Sequence, residues 1–273
     1  MNRRAHSPWA LALLGALVGA PAAAQDFAAP GAGGPMHDPL DFLERGFAPR
    51  FPGARVDAAA IRWLGVPELA TRALGAALGF GSARMALGIS QTGEPDIGWS
   101  TLGAALGGAT RSSGAGFKAV LRRDREPGGV PSALGPGVGA EVGGAAWIAA
   151  GARWTVWASH PQLWTRGVTP PLIRTFEVGA ALESEGAQAW LSRAAPLRSG
   201  GAGFHACGLG LEAATGPFAS LVWLEARDRP LRGAIGIRAR VRRLAVAGAV
   251  EGHPVLGETV RLAVGLVSAQ AGP

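Results

Sequence analysis

The sequence predicts an all-β protein: one antiparallel, transmembrane up-and-down β-barrel of about 14 strands, carried behind a short N-terminal extension. Three observations predict it. Gly208–Leu266 reads as hairpin after hairpin, with apolar residues on alternate positions. The chain opens on a secretory leader. Its composition suits a barrel wall better than a soluble sheet, with 43 Gly, 48% hydrophobic and only 16% charged residues. A soluble domain usually carries about a quarter charged residues.

The hairpins are the clearest part. Ile235, Ile237, Ala239 and Val241 alternate with Arg238 and Arg240; Leu244, Val246 and Val250 follow; Val260, Leu262, Val264 and Leu266 alternate with Thr259 and Arg261. An apolar period of 2 marks strands with one dry and one wet face. Such strands, joined by short turns behind a leader, are the pattern of an outer-membrane barrel.

Residues 1–24 are expected to be removed as a signal peptide. Arg3 and Arg4 form the basic region, Trp9–Ala20 the apolar core, and Ala22-Ala23-Ala24 the small-residue cleavage site. The apolar run is shorter than the roughly 20 residues a spanning helix needs. Export places the chain in or beyond the periplasm, with the outer membrane as its expected location.

Net charge is +7, falling to +5 once Arg3 and Arg4 are gone, and Lys118 is the only lysine. No arginine cluster alternates with exposed aromatics, so no nucleic-acid partner is expected. The single Cys207 excludes an internal disulfide. Its face is shared with Leu209 and Leu211, and burial is expected.

Residues 25–53 are rich in Gly, Pro and Ala. Within them Asp38–Phe47 is expected to form a short helix, with Asp38 as cap, Pro39 at the first position and Gly46 near the end. A plug tucked into the lumen and a disordered periplasmic lead-in remain as alternatives for this extension. The barrel follows over 54–269. Candidate strands are 54–64, 68–79, 82–91, 97–109, 115–124, 137–148, 151–159, 173–183, 187–195, 202–213, 217–227, 231–241, 243–251 and 258–269. A tilted barrel strand needs about 9–11 residues and turns take about 4, so fourteen strands fit the available length. Twelve remain if 54–64 and 137–148, the weakest patterns, are set aside.

Alternation assigns the wet face to the lumen. Arg84 opposes Met85 and Leu87; Lys118 opposes Phe117 and Leu121; Glu177 opposes Phe176 and Val178. The lumen-facing candidates are Arg84, Lys118, Arg153, Glu177, Trp190, Trp223, Glu225, Arg238, Arg240 and Arg261. Their charges could tune a pore or pair into a ladder that fills the interior, and pairing is the cheaper way to hold ions inside. Trp190 and Trp223 either line an apolar passage or pack a narrow barrel. Trp63, Trp99, Trp147, Trp157 and Trp164 fall near strand ends, where interfacial aromatic girdles belong. The long connections Arg125–Pro136 and His160–Leu172 start two strands apart and should leave by the same rim.

The run His253-Pro254-Val255-Leu256-Gly257-Glu258-Thr259-Val260-Arg261-Leu262-Ala263-Val264-Gly265-Leu266 resembles the closing hairpin of PorV/PorQ-like outer-membrane proteins, within the wider group of FadL-like barrels. Gly208-Leu209-Gly210-Leu211-Glu212, then Leu221–Glu225 and Gly233–Gly236, is similar to their penultimate hairpins. Thr169-Pro170-Pro171 leading into Val178-Gly179-Ala180-Ala181-Leu182 is also similar, so the resemblance spans roughly Thr169–Leu266. It implies a 14-stranded barrel that either passes hydrophobic small molecules or serves a secretion machine. The family's Asn-Pro-containing plug region is absent, and the chain ends Gly272-Pro273 without the terminal aromatic of many outer-membrane barrels.

No catalytic signature is present: neither Gly-x-Ser-x-Gly, His-Glu-x-x-His, a Walker loop nor paired cysteines. His37, His160, His205 and His253 are not spaced as strand or helix metal pairs. The expectation is a non-enzymatic protein without cofactor, metal or catalytic residues. Its expected partners are outer-membrane lipid and either a small hydrophobic solute or the proteins of a secretion complex.

Overall fold

The computed structural model describes residues 39–48, 53–63, 65–94, 98–125, 137–150, 153–166, 175–184, 186–196, 203–215, 218–228, 231–253 and 257–268. Residues 1–24, expected to be a leader, and most of residues 25–53, including His37 and Asp38, lie outside the described residues.

Helix α1 spans Pro39–Arg45. Proline is suited to the first helical position, where no N–H is needed. The helix stops at Gly46, which adopts φ 84° and donates its N–H to the Phe42 carbonyl at 3.0 Å. This left-handed closure is the reason a glycine stands there.

Fourteen strands follow: β1 (Gly53–Arg62), β2 (Ala70–Phe80), β3 (Ala83–Gly93), β4 (Gly98–Ala109), β5 (Ser113–Asp124), β6 (Val138–Ala150), β7 (Trp154–Arg166), β8 (Thr175–Ser184), β9 (Ala187–Pro196), β10 (Phe204–Thr215), β11 (Phe218–Asp228), β12 (Leu231–Val241), β13 (Leu244–His253) and β14 (Gly257–Val267). Each pairs antiparallel with its sequence neighbours, and β1 pairs with β14 to close the barrel. Both weak segments are strands, so the count is fourteen.

The barrel solves two problems at once. Closure removes the unpaired edges of an open sheet, and every strand shows two faces. On β3, Arg84, Ala86, Gly88, Ser90 and Thr92 are buried while Met85, Leu87 and Ile89 stand exposed. The same alternation runs round the wall, from Val56 and Leu74 through Phe117, Leu191 and Leu209 to Leu262 and Leu266, all exposed. Apolar surface on that scale is far beyond the few hundred Å² a soluble monomer presents in one patch. It suits the outward band of a barrel standing in hydrocarbon.

The two rims differ. Beside the ends of the barrel chain, β2–β3, β4–β5 and β12–β13 are joined by tight turns, and Arg242 adopts φ 55° in the last of them. At the other rim run the longer connections, including those after β5 and β7. Most of their residues, 126–136 and 167–174, lie outside the described residues.

The sheet departs from expectation around His160. That residue does not begin a loop; β7 continues to Arg166. The register against β6 shifts between Val142 and Gly144, so that Gly144 faces His160 and Val142 faces Trp164. The extra residues form a bulge around Pro161, which has no N–H for a ladder and is tolerated there. The β7–β8 pairing covers only Trp154–Ser159, so the β6–β7 hairpin projects beyond its neighbour. A second departure is Arg153. It lies in the exposed β6–β7 turn, ahead of β7, and does not face the lumen from within a strand.

Candidate functional site: the barrel interior

The interior is divided. On β1–β5 the inner wall presents a group of small residues: Ala59, Ala73, Gly75, Ala77, Ala86, Gly103, Ala105, Gly114 and Gly116. Helix α1 packs in this recess, with Phe42, Leu43, Phe47 and Ala48 completely or almost completely buried. The fit is close. A Cβ at Gly116 would fall 2.6 Å from the Gly46 carbonyl oxygen and 2.6 Å from the Phe42 ring. The indole N–H of Trp147 donates to the Ala48 carbonyl at 3.1 Å. Small residues on the wall and bulky ones on the helical segment are thus one packing solution, because an interior tolerates neither voids nor overlap.

Two residues along β5 from Gly116 lies a charged pair. Lys118 and Glu141 form a buried salt bridge across β5 and β6. Asp57 is held by Arg55 two residues away, at 2.9 Å.

From β5 to β12 the inner wall carries tryptophans, each set directly opposite a glycine: Trp147 faces Gly114, Trp157 faces Gly179, Trp190 faces Gly208 and Trp223 faces Gly236. A Cβ built on Gly208 or Gly236 would lie 2.0 Å from its partner indole. Each ring therefore lies flat along the wall, over its neighbour's backbone. Glycine leaves the room, and the indole covers backbone that a glycine alone would expose. This overturns the girdle assignment for Trp147 and Trp157, which are buried inside. Trp63 also turns inward, donating to Thr71 Oγ1 at 2.8 Å, and Trp99 lies under the Arg122 guanidinium at 4.1 Å. Trp164 does face outward, as does Trp154 at the opposite end of β7.

The remaining sequence candidates are distributed by height. Arg84 is buried near the short-turn rim, donating to the carbonyls of Gly81 and Ala83. Arg238 and Arg240 stand at the same end of β12, with Arg240 exposed. Toward the long-loop rim, charges alternate. Arg227 bonds Glu225 at 2.9 Å, Arg232 bonds Glu251 at 3.2 Å, and Glu177 lies within electrostatic reach of Arg227. Arg261 is buried on β14. Asp57, Glu141, Arg227, Arg232 and Glu251 belong to this lining too. Their period-2 parity marks them in the sequence, although they were not among the candidate residues.

Cys207 is exposed on the outer face of β10 and not buried. It shares that face with Leu209 and Leu211, but the face looks outward. His205 is also exposed, with Nδ1 2.9 Å from Asp228 Oδ2. Among the described residues no group of three or more His, Cys, Asp or Glu side chains could hold a metal ion. No helix among them is long and apolar enough to cross a membrane.

No family model and no curated protein matches the chain. Among solved structures it is similar to engineered variants of the Rhodopseudomonas blastica porin. Two of these are 10% and 12% identical, each with a TM-score of 0.42, covering 79% of this chain and 98% of the porin. A triple mutant of that porin is 13% identical over the same shares. The likeness is one of outline, and the barrel assignment rests on the chain's own closed sheet and two-faced strands.

Proposed function

We propose that the protein is an outer-membrane barrel that passes small, mainly hydrophobic solutes beside a resident plug, residues 39–48. The observation that carries this reading is the divided interior. The helix is confined to the β1–β7 side, while β8–β13 present flat indole faces with arginines at both heights. Indole faces offer an apolar path, and Arg238 and Arg240 would accept a negatively charged group on the solute. The outward apolar belt and the leader support the location, because only helices and closed barrels satisfy backbone hydrogen bonds in hydrocarbon. The resemblance of His253–Leu266 to PorV/PorQ-like and FadL-like barrels points the same way.

The test is solute entry into liposomes carrying the full chain, beside single-channel conductance in planar bilayers. Phe42→Asp places a charge where the fully buried ring sits and should loosen the plug. The expected result is measurable entry for the parent barrel and a several-fold rise in conductance for the variant. Absence of both, in barrels shown to be folded, would refute passage.

A second reading is a non-enzymatic component of an outer-membrane secretion complex. The close fit of α1 against Gly116 and Trp147 favours it, since protein then occupies part of the lumen. That reading predicts no entry with either chain.

A further inference from the structure

The outer wall holds a groove of about 640 Å³ across β2–β5 that neither the lumen nor the plug uses. Its crest is one transverse row. Arg72 faces Gln91, Gln91 faces Ser100, and Ser100 faces Arg123, all on outward positions just inside the long-loop rim. One step toward the barrel's middle runs a second row, Leu74, Ile89, Leu102 and Leu121, each exposed. We propose that this groove binds a phosphate-bearing lipid of the surrounding leaflet, with its headgroup on the Arg72–Arg123 row and its acyl chains on the leucine–isoleucine row. The inference rests on the membrane-spanning reading above and adds a ligand to the outer surface.

Charge and spacing select the occupant. Arg72 and Arg123 are exposed, and neither has an acidic partner among the described residues. Asp124, next in the chain, is directed to Arg122 at 3.1 Å. Three inter-strand steps of about 4.8 Å separate the two arginines, near 14 Å in all. Guanidinium groups at that spacing can lean toward Gln91 and Ser100 between them, giving a row of donors matched to phosphate oxygens. The apolar row lies about 7 Å lower, two residues along each strand, where acyl chains begin. The second outer groove, about 320 Å³ over β8–β11, is lined by Leu182, Leu209, Leu211, Val222 and Leu224 with no charged residue. The cationic crest thus distinguishes the β2–β5 groove from the β8–β11 groove.

The test is lipid retention by the full chain, purified in detergent and observed by native mass spectrometry. Phosphatidic acid is the probe, diacylglycerol the chain-only control and inorganic phosphate the free-ion control. With each interfacial arginine contributing on the order of 1 kcal/mol, Arg72→Gln with Arg123→Gln should lower phosphatidic acid retention about 10- to 30-fold. Diacylglycerol retention should be unchanged, and inorganic phosphate should not displace the lipid. Arg193→Gln, exposed on β9 outside the groove, should have no effect. Equal retention by the double variant, equal loss with Arg193→Gln, or displacement by inorganic phosphate would each overturn the proposal. Folding is read separately from heat-modifiable gel mobility. If the double variant does not fold, Ser100→Asp supplies the same test by placing a negative charge at the centre of the row. A parent chain that needs no detergent would instead overturn the membrane reading, and the groove with it.

Discussion

Gly208→Ala adds one methyl group, and its consequence can be worked from the wall. The new Cβ would lie 2.0 Å from Cζ2 and 2.2 Å from Cε2 of Trp190, against ordinary carbon separations of about 3.5–4.0 Å. The indole must move by more than an ångström or swing off the wall. Overpacking of this kind costs about 1–3 kcal/mol. The intrinsic gain of Ala over Gly in a strand returns no more than about 1 kcal/mol. The expected net loss is about 1–2 kcal/mol. Gly233→Ala is the matched control, since its Cβ would meet nothing within 4 Å, and it should be neutral or slightly stabilising. Guanidinium unfolding of the refolded barrel in micelles, followed by fluorescence and gel mobility, gives both values. Replacing Trp190 by Ala should abolish the Gly208→Ala penalty, a coupling that a double-mutant cycle reads directly. A Gly208→Ala barrel as stable as Gly233→Ala, or a penalty that persists without Trp190, would refute the tryptophan-over-glycine packing.

Other outcomes follow from the same wall. Lys118→Met alone strands Glu141 as a buried carboxylate and should cost about 3–5 kcal/mol, whereas Lys118→Met with Glu141→Leu should recover most of the loss; unfolding midpoints check both. Leu87→Arg, on the exposed belt midway along β3, should cost about 2–4 kcal/mol in lipid vesicles, while Leu231→Arg at the rim should cost about 0–1 kcal/mol. Equal costs at both depths would count against a bilayer around the belt. Gly116→Leu should displace α1, because the Gly46 carbonyl and Phe42 leave no room for a side chain; protease cleavage within residues 39–48 should then become rapid.

The strand layout was legible because alternation is a local signal. β12 and its turn to β13 are bounded as the arginine and isoleucine periodicity implies, and the small-residue strands β1 and β6 proved to be strands as well. What alternation could not supply was sign. On β6 the only charge, Glu141, shares the parity of Trp147 and would have turned the indole inward; the other residues are small or apolar on both faces, and proximity to a strand end was a poor substitute for parity. Cys207 failed for a related reason: its apolar face was identified correctly, but in a barrel that face looks outward. The bulge at Pro161 escaped because His-Pro is also turn chemistry. Helix α1 could be read from Pro39 and Gly46, yet its seat could not, since the recess is a property of glycines and alanines on five strands that meet only in the closed barrel.

The inside-out assignment and the membrane itself can be tested together by quenching tryptophan fluorescence with shallow brominated lipids. Trp154 and Trp164 face outward near the two ends of β7, whereas Trp190 and Trp223 lie inside. The account predicts that quenching in reconstituted vesicles is largely lost when Trp154 and Trp164 are replaced by Phe, and survives when Trp190 and Trp223 are. Quenching that is absent from the parent barrel, or that disappears with Trp190 and Trp223 instead, would contradict it.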